Sequence, residues 1–264
     1  MKIDRSNKQS ILKPCDLENF NYQIDPYIGC EHYCHYCYVL NQAKTDWKKE
    51  IIVHENVVER LESEMSGIAP QTIYMGWHSD PYQPCEERYQ QTRQVLELLQ
   101  RMGFSVSILT KSDLVLRDMD VLQSMKNASV GVSVAFNDEK IRRKFEDNTK
   151  ETKARISALH QLNARGISTT ALVCPVIPYI TEVKSLIESL AGCTAKIWIY
   201  GLSILKKSDQ NWQSVEGILE NHFPDLKEQI ETVVFTKDHP FWENLRHELL
   251  KIKKDKQLNL SVHV

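Results

Sequence analysis

The chain has 264 residues, of which 42% are hydrophobic and 26% are charged, with only 9 glycines and 9 prolines. This composition is typical of a globular protein with one large domain or two small ones, and it excludes disordered, collagen-like and coiled-coil proteins. Lysine and arginine total 33 against 35 acidic residues, a formal net charge of -2. A basic surface built for nucleic acid is therefore not expected, and any grip on DNA or RNA would be local.

The sequence carries no sign of export or membrane insertion. Its first fifteen residues hold no apolar stretch long enough for a signal peptide, and no later segment approaches the ~18 apolar residues of a membrane span. A cytoplasmic protein with no membrane partner is therefore predicted. Seven cysteines are an odd number, so a disulfide framework is not expected.

Six short runs of β-branched or aromatic residues, bounded by polar residues, glycine or proline, predict strands. They lie at about 24–28, 72–77, 104–109, 129–136, 168–176 and 196–201. Between them, apolar residues recur at helical spacing, which predicts five amphipathic helices. These helical stretches cover 57–65, 95–102, 116–122, 156–162 and 183–190.

Alternating strands and helices predict βαβ units and a parallel sheet, because successive parallel strands need a crossover. Periodicity alone leaves two architectures open, a doubly wound open sheet and a partial barrel. In both, ligands bind beyond the carboxyl ends of the strands. Beyond residue 203 the pattern becomes helical, with Phe241, Leu245 and Leu249 on one stripe, which predicts a helix packed on the sheet domain.

The most informative segment is PYIGCEHYCHYCY at residues 26–38, which places Cys30, Cys34 and Cys37 just after the first predicted strand. Three thiolates on one loop can ligate three irons of a [4Fe–4S] cluster and leave the fourth iron open. Two alternatives remain. One is a zinc site of three cysteines and one histidine, using His32 or His35, and the other is three unligated thiols.

The cysteine spacing resembles the radical S-adenosylmethionine (SAM) superfamily. Three further segments are similar to its spore photoproduct lyase-like branch, also described as DNA repair photolyase-like, over roughly residues 8–205. These segments are SDPYQPCEERYQQTR at 79–93, TKSDLVLRDMDVL at 110–122 and CPVIPYI at 174–180. The resemblance implies an α/β fold, a partial (β/α)6 TIM-like barrel over residues 1–205, followed by a helical C-terminal extension over 206–264.

The same resemblance implies the chemistry. A [4Fe–4S] cluster would reductively cleave SAM, and the 5′-deoxyadenosyl radical would abstract hydrogen from a substrate. A small molecule, a nucleotide or a nucleic acid is a candidate substrate, and flavodoxin or ferredoxin a candidate electron donor. The alternative function is a non-catalytic interaction or carrier protein that binds zinc or an iron–sulfur cluster.

Several residues match positions that contact SAM in the branch, and their roles are implied by that resemblance. An aromatic ring, Tyr36 or Tyr38, would lie against the adenine or ribose. Ser79 and Asp80 would meet polar groups of the cofactor, Lys111 the methionine carboxylate, and Ser133 a ribose hydroxyl. Four of them also have an ordinary structural interpretation, namely barrel packing for Tyr38, a turn for Ser79 and Asp80, and a surface position for Lys111.

Two departures from the family pattern concern the chemistry. GWHSDP at 76–81 replaces the Gly-Gly-Glu-Pro segment of many superfamily members, and Trp77 stands where the lyase has its hydrogen-donating cysteine. A tryptophan has no weak S–H bond to offer. Cys174 and Cys85 are therefore the candidate hydrogen donors, with buried inert thiols as the alternative.

The segment after the fourth strand holds charged residues that are similar to glutamate and arginine positions of the branch. These are Arg143, Glu146 and Arg155. The alternative interpretation is a solvated helix entry whose ion pairs contribute about 0–1 kcal/mol. The lysine-rich run at 251–256 is interpreted as the solvated end of a helix.

Overall fold

The computed structural model describes residues 2–264 and contains eleven strands and ten α-helices. The strands are β1 (Lys2–Ser6), β2 (Leu12–Pro14), β3 (Tyr22–Ile24), β4 (Tyr27–Ile28), β5 (Glu50–His54), β6 (Thr72–Met75), β7 (Ser105–Thr110), β8 (Ser129–Ser133), β9 (Ser168–Val176), β10 (Lys196–Gly201) and β11 (Leu260–His263). The helices are α1 (Val57–Glu64), α2 (Glu86–Tyr89), α3 (Gln91–Arg101), α4 (Met119–Ser124), α5 (Glu139–Phe145), α6 (Thr152–Ala164), α7 (Val183–Leu190), α8 (Gln210–His222), α9 (Pro224–Phe235) and α10 (Pro240–Asp255). Two 3-10 turns cover Tyr38–Gln42 and Asp113–Asp118.

The main sheet has eight strands in the order β11-β10-β9-β8-β7-β6-β3-β2. All neighbours in it pair in parallel except β2 and β3, which are antiparallel. Within residues 2–264, no pairing joins β2 to β11, so the sheet curves without closing. The predicted α/β fold with a partial TIM-like barrel is confirmed, and of the two architectures left open by periodicity it is the barrel.

The predicted strand at 24–28 is interrupted, and this places a polar loop at the barrel mouth. Pro26 has no backbone N–H for a sheet ladder, so the run divides into β3 and β4. The strand β4 leaves the main sheet and pairs with β5, which also pairs with β1. The cysteine loop therefore begins at a point where the chain passes from one sheet to another.

The C-terminal segment is helical over α8, α9 and α10, as expected, but it also contributes a strand that was not predicted. The strand β11 pairs in parallel with β10, with Ile197 opposite Leu260 and Tyr200 opposite His263. Leu249 of α10 is fully buried in the main hydrophobic core. The predicted division at residue 205 stays a prediction.

The two faces of the main sheet differ in chemistry. Toward the helices, the strands place fully buried aliphatic residues such as Ile73, Val106 and Val130. The alternate residues face the inside of the barrel. They carry more polar groups and are partly accessible to solvent. They include Tyr74, Ser107, Gly131, Cys174 and Tyr200. The interior of the incomplete barrel is therefore lined by polar and aromatic side chains rather than filled by an aliphatic core. No helix within 2–264 has the length and apolarity to cross a bilayer.

A glycine at the end of β6 allows the close approach of β7. Gly76 has φ of +104°, and a Cβ there would overlap the carbonyl oxygen of Leu109. Gly166 has a similar φ of +78° but nothing within 4 Å of its Cβ position.

We predict that Gly76→Ala lowers the free energy of unfolding by at least about 3 kcal/mol, because strain and steric overlap add. Gly166→Ala carries only the left-handed backbone strain, about 1–2 kcal/mol. Urea unfolding of the metal-free proteins measures both. Equal losses for the two variants would show that the contact with Leu109 is unimportant.

Candidate functional site

The three cysteines lie on one loop at the carboxyl end of the barrel strands. Cys34 is buried, whereas Cys30 and Cys37 are half-buried. Successive tight turns shape the loop: the amide of Tyr33 donates to the carbonyl of Cys30 (3.3 Å), and that of Cys37 donates to the carbonyl of Cys34 (3.0 Å). Trp47, Val39 and Leu40 pack against Cys30 and Cys37 on the outer side.

Burial makes these thiols poor acids in the absence of a cation. It raises the pKa of Cys30 to about 12 and that of Cys34 well above its ordinary value, and the negative charges of neighbouring groups add to the rise. Burial likewise raises the pKa of Cys37. A bound cation would relieve both effects, so the donor set fits a thiolate-ligated metal centre. Within 2–264 no three metal-binding side chains are already converged, so the thiols would be drawn together on binding.

The two histidines of the loop already have partners. His35 is 2.6 Å from Ser214 Oγ through Nδ1 and 2.8 Å from Asp147 Oδ1 through Nε2. His32 Nδ1 lies 3.1 Å from the carbonyl oxygen of Asn148, and its Nε2 lies 3.3 Å from Asp80 Oδ2. Both nitrogens of His35 are therefore engaged, which disfavours the zinc interpretation for that residue.

Lys111 brings a positive charge to the thiols. It follows β7, and its ammonium lies 5.8 Å from the centre of the Tyr36 ring. Burial opposes the charged form, but the surrounding groups Cys34, Glu146 and Cys174 raise the pKa of Lys111 above its ordinary value. Across the described chain, no hydrogen bond or close ion pair engages this ammonium; the backbone amide alone is bonded, to Asp80. A half-buried, uncommitted cation is thus available to an anionic ligand.

Tyr36 sits between the second and third cysteines and points into the protein. Its hydroxyl donates to Glu146 Oε1. The other carboxylate oxygen of Glu146 accepts from Arg155 and from Thr149 Oγ1 (2.7 Å). Glu146 and Arg155 are both completely buried.

The solvated-helix interpretation of this segment is therefore wrong for Glu146 and Arg155 and right for Arg143, which is exposed and 3.4 Å from Glu151. Burial opposes ionisation of Glu146, but the guanidinium of Arg155 lowers the pKa of the carboxyl to about 2. Removing one partner of such a pair typically destabilises a protein by about 3–5 kcal/mol.

Asp80 is held by donors from two segments. Oδ1 accepts from the amide of Tyr82 (2.9 Å) and from Thr110 Oγ1 (2.7 Å), while Oδ2 accepts from the amide of Lys111 (2.7 Å). Burial opposes its ionisation, but the charge of His32 and these hydrogen bonds lower the pKa of Asp80 to about 2. Asp80 therefore ties the loop after β6 to the end of β7, beside the cysteine loop.

The other predicted cofactor contacts lie around the same mouth. Ser79 is buried and donates its hydroxyl to the carbonyl of Tyr27 (2.9 Å). Ser133, at the end of β8, donates to the carbonyl of Cys174 (3.2 Å). Tyr38 is more exposed, donates to the carbonyl of Trp77 (2.8 Å) and has its ring 5.6 Å from the Trp77 ring. Trp77 thus packs at the barrel mouth, where its ring contacts Tyr38.

The two candidate hydrogen donors occupy different environments. Cys174 lies on the inner face of β9, and its thiol is close enough to Lys111 and Cys37 for their charges to act on it, although burial raises its pKa overall. Cys85 is buried against Tyr27 and the small sheet. The structure thus brings Cys174, and not Cys85, to the inner face of the barrel.

The sequence analysis did not single out Asp25 and His78. Asp25 is almost fully buried and accepts from the amide of His78 (2.9 Å), while His78 Nδ1 lies 3.1 Å from its Oδ2. Burial opposes ionisation, but the contacts with His78 lower the pKa of Asp25. Asp25 directly precedes Pro26. An acidic residue before a proline at the end of a strand is a sequence feature that could have predicted a hydrogen-bonded contact between two loops.

The segment at 79–93 has a structural role in its second half. Glu86 is fully buried and accepts from the Tyr27 hydroxyl, from the Thr92 amide (3.0 Å) and from Arg117. Tyr27 begins the cysteine loop and Arg117 belongs to the third motif. Glu86 therefore joins the three motif segments at the mouth of the barrel.

Comparison with known proteins identifies the family. The radical SAM superfamily profile matches residues 24–190. An uncharacterized protein of Methanocaldococcus jannaschii is 30% identical over 235 residues, which cover 87% of each chain. The chain belongs to the radical SAM superfamily, whose members act with SAM and an iron–sulfur cluster.

Two solved structures share the fold. A spore photoproduct lyase variant with bound AdoMet and dinucleoside spore photoproduct superposes with a TM-score of 0.60 at 14% identity, over 88% of this chain and 79% of that one. Streptococcus suis SuiB bound to SAM superposes with a TM-score of 0.56 at 13% identity, over 92% of this chain and 50% of that one. The predicted resemblance to the radical SAM superfamily is confirmed by the family match, and these structures support the predicted fold.

The lowered pKa of Asp80 predicts a pH-dependent contribution to stability. Its carboxyl titrates near 2 when folded and near 3.8 otherwise, so the contribution of about 2–3 kcal/mol is complete above pH ~4 and is lost as the pH falls toward 2. We expect the stability difference between the native protein and Asp80→Asn to shrink across that range.

Urea unfolding of the metal-free proteins at pH 7, 4, 3 and 2 and constant ionic strength measures this difference. Glu146 titrates in the same window in both proteins and cancels in the comparison. Asp238→Asn, on an exposed loop, is the matched control and should leave the profile unchanged. A difference independent of pH would contradict the role of the Asp80 charge.

Proposed function

We propose that the protein is a spore photoproduct lyase-like radical SAM enzyme that binds a [4Fe–4S] cluster through Cys30, Cys34 and Cys37. The observation that carries this proposal is the uncommitted ammonium of Lys111 beside three thiols on one loop, one of them buried and two half-buried. A bound cluster and SAM would together supply a 5′-deoxyadenosyl radical that abstracts hydrogen from substrate. The residues of the chain bind, orient and shield that group.

The proposed cofactor contacts follow from their positions. Lys111 would meet the methionine carboxylate, because its ammonium has no hydrogen-bond or ion-pair partner within residues 2–264 and lies beside the Tyr36 ring next to the thiols. The half-exposed ring of Tyr38 lies at the rim, where it could cover the adenine. Tyr36, Ser79, Asp80 and Ser133 stay predictions as cofactor contacts; their polar groups already have internal partners, so they would act mainly by shaping the pocket.

The substrate is proposed to enter the polar interior of the incomplete barrel. The structurally similar lyase binds a dinucleoside photoproduct, which supports a nucleotide or nucleic-acid substrate. Aromatic side chains on two sides of the interior suit a planar group: Trp77 stands 6.0 Å from Tyr74, and Tyr200 stacks on His263 at 4.5 Å. A small molecule with such a ring is equally compatible.

Cys174 is the proposed hydrogen-atom donor in place of the thiol that Trp77 replaces. Its S–H bond would give a hydrogen atom to a carbon radical of the substrate, forming a C–H bond and leaving a thiyl radical. One electron from the external donor, proposed to be flavodoxin or ferredoxin, and one proton from solvent would restore the thiol. Cys85 remains the second candidate.

Removal of one of the three cysteines tests the proposed cluster directly. Cys34→Ala is expected to abolish both iron binding and the formation of 5′-deoxyadenosine, because three ligands are needed to hold the cluster. Anaerobic reconstitution followed by iron and sulfide analysis, and incubation with dithionite and SAM, provide the measurement. Cys193→Ala, a thiol deletion away from the loop, is the matched control.

These measurements separate the alternatives. Zinc in place of iron would support a zinc-binding interaction protein, and iron without SAM cleavage would support a carrier. Either result in the native protein would contradict the proposed enzyme.

Deuterium transfer tests the proposed role of Cys174. When SAM is cleaved in D2O without added substrate, an exchanged S–D group near the radical should deliver deuterium to 5′-deoxyadenosine. We expect Cys174→Ala to lower that deuterium content several-fold, measured by mass spectrometry, whereas Cys85→Ala leaves it unchanged. The reverse pattern would assign the role to Cys85. An unchanged deuterium content in both variants would exclude both cysteines as hydrogen donors.

A further inference from the structure

The segment that follows α5 runs alongside the cysteine loop for its whole length. Backbone hydrogen bonds join them, from His35 to Phe145 (2.9 Å), from Asp147 to Tyr33 (3.4 Å) and from Asn148 to His32 (3.2 Å). The side-chain amide of Asn148 also donates to the carbonyl of Glu31 (2.7 Å). Residues 145–149, termed here the support segment, thus fix the backbone between Cys30 and Cys37.

One side chain of the support segment reaches through the loop. Glu146 lies opposite Cys34 in an isolated antiparallel bridge, and its carboxylate accepts the hydroxyl of Tyr36, between Cys34 and Cys37. The loop is therefore held by a charge-assisted hydrogen bond in a dry environment, which is stronger than a neutral one.

The same carboxylate connects the loop to the barrel. Arg155, its ion-pair partner, donates through Nη1 to the carbonyl of Ser133 (3.0 Å) and through Nε to that of Lys150 (2.7 Å). Ser133 in turn donates to the carbonyl of Cys174 (3.2 Å). A continuous buried path therefore runs from the cysteine loop to the ends of β8 and β9.

We propose that Glu146 is a positioning residue for the metal centre, acting through Tyr36 to fix the cysteine loop relative to the strands that carry Ser133 and Cys174. The inference rests on the proposed function, because it presumes a cluster on the three cysteines. It assigns to the Tyr36 hydroxyl an inward structural bond rather than a contact with the cofactor. The buried charge of Glu146 also contributes to the electrostatic environment of the cluster.

Two independent effects follow. Loss of the Tyr36 hydroxyl frees the loop without changing charge, so the cluster should be released faster. Residues that orient metal ligands typically change metal affinity by about 10- to 100-fold when they are replaced. Loss of the Glu146 charge removes a buried anion near the cluster, so its midpoint potential should become more positive, since net charge is one determinant of that potential.

The experiment uses the anaerobically reconstituted full-length protein and the variants Tyr36→Phe, Glu146→Gln and Glu146→Asp. Iron release to the chelator ferrozine, the midpoint potential, and the electron paramagnetic resonance spectrum with and without SAM are recorded for each. Tyr89→Phe and Glu151→Gln are the matched controls, because they make the same chemical changes at half-buried and exposed positions outside the network. Circular dichroism of the metal-free proteins reports folding separately.

We expect Tyr36→Phe to release iron about tenfold faster with an unchanged potential. Glu146→Gln should shift the midpoint potential to more positive values. Glu146→Asp keeps the charge, so its midpoint potential should equal that of the native protein, while its iron is still released faster. Both controls should match the native protein. Iron release from Tyr36→Phe at the native rate overturns the proposal, whether or not Glu146→Gln folds.

The outcomes also separate this inference from the proposed function. A native protein that loads iron and cleaves SAM, with no effect of Tyr36→Phe, retains the enzyme and removes the positioning role. A native protein that holds no iron removes both.

Discussion

The ion pair of Glu146 and Arg155 is the interaction on which the geometry of the site depends. Both side chains are completely buried, so each charge would be strongly destabilising without the other. The chain meets that requirement with hydrogen bonds from Thr149 and Tyr36 and to the carbonyl of Ser133. The pair is therefore compatible with one arrangement of the surrounding segments, in which the cysteine loop lies against the barrel strands.

The incomplete barrel explains why the interior is available for chemistry. In a closed barrel the inward side chains are bulky and aliphatic and fill the centre. Here the inner face presents Tyr74, Ser107, Cys174 and Tyr200, and the two edge strands do not pair. Van der Waals packing is supplied by the outer face and its helices instead. A polar interior can then receive a substrate while the aliphatic layer keeps the sheet rigid.

The cysteine loop and its surroundings divide into two electrostatic layers. Burial disfavours thiolates, and Asp80 and Glu146 add negative charge nearby, so the pKa values of Cys30 and Cys34 are raised. Lys111 alone faces the thiols as an uncommitted cation in the described chain. The thiols and Lys111 form the first layer. The second layer consists of buried carboxylates with arginine or histidine partners, and it fixes the positions of the residues in the first. Chemistry and positioning are thus carried by different residues of the same motifs.

The sequence by itself determined most strands and helices of the main sheet and the cysteine loop, because hydrophobic periodicity and ligand spacing are local properties of the chain. Periodicity left an open sheet and a partial barrel equally possible, and the barrel was predicted only by the family resemblance. Tertiary structure decided which polar residues meet: that Arg155 is buried rather than solvated, that Cys174 and not Cys85 faces the interior, and that β11 completes the sheet. A charged residue at a helix entry has the same local pattern whether it faces water or a buried partner. The difference is made by desolvation, which depends on segments distant in sequence.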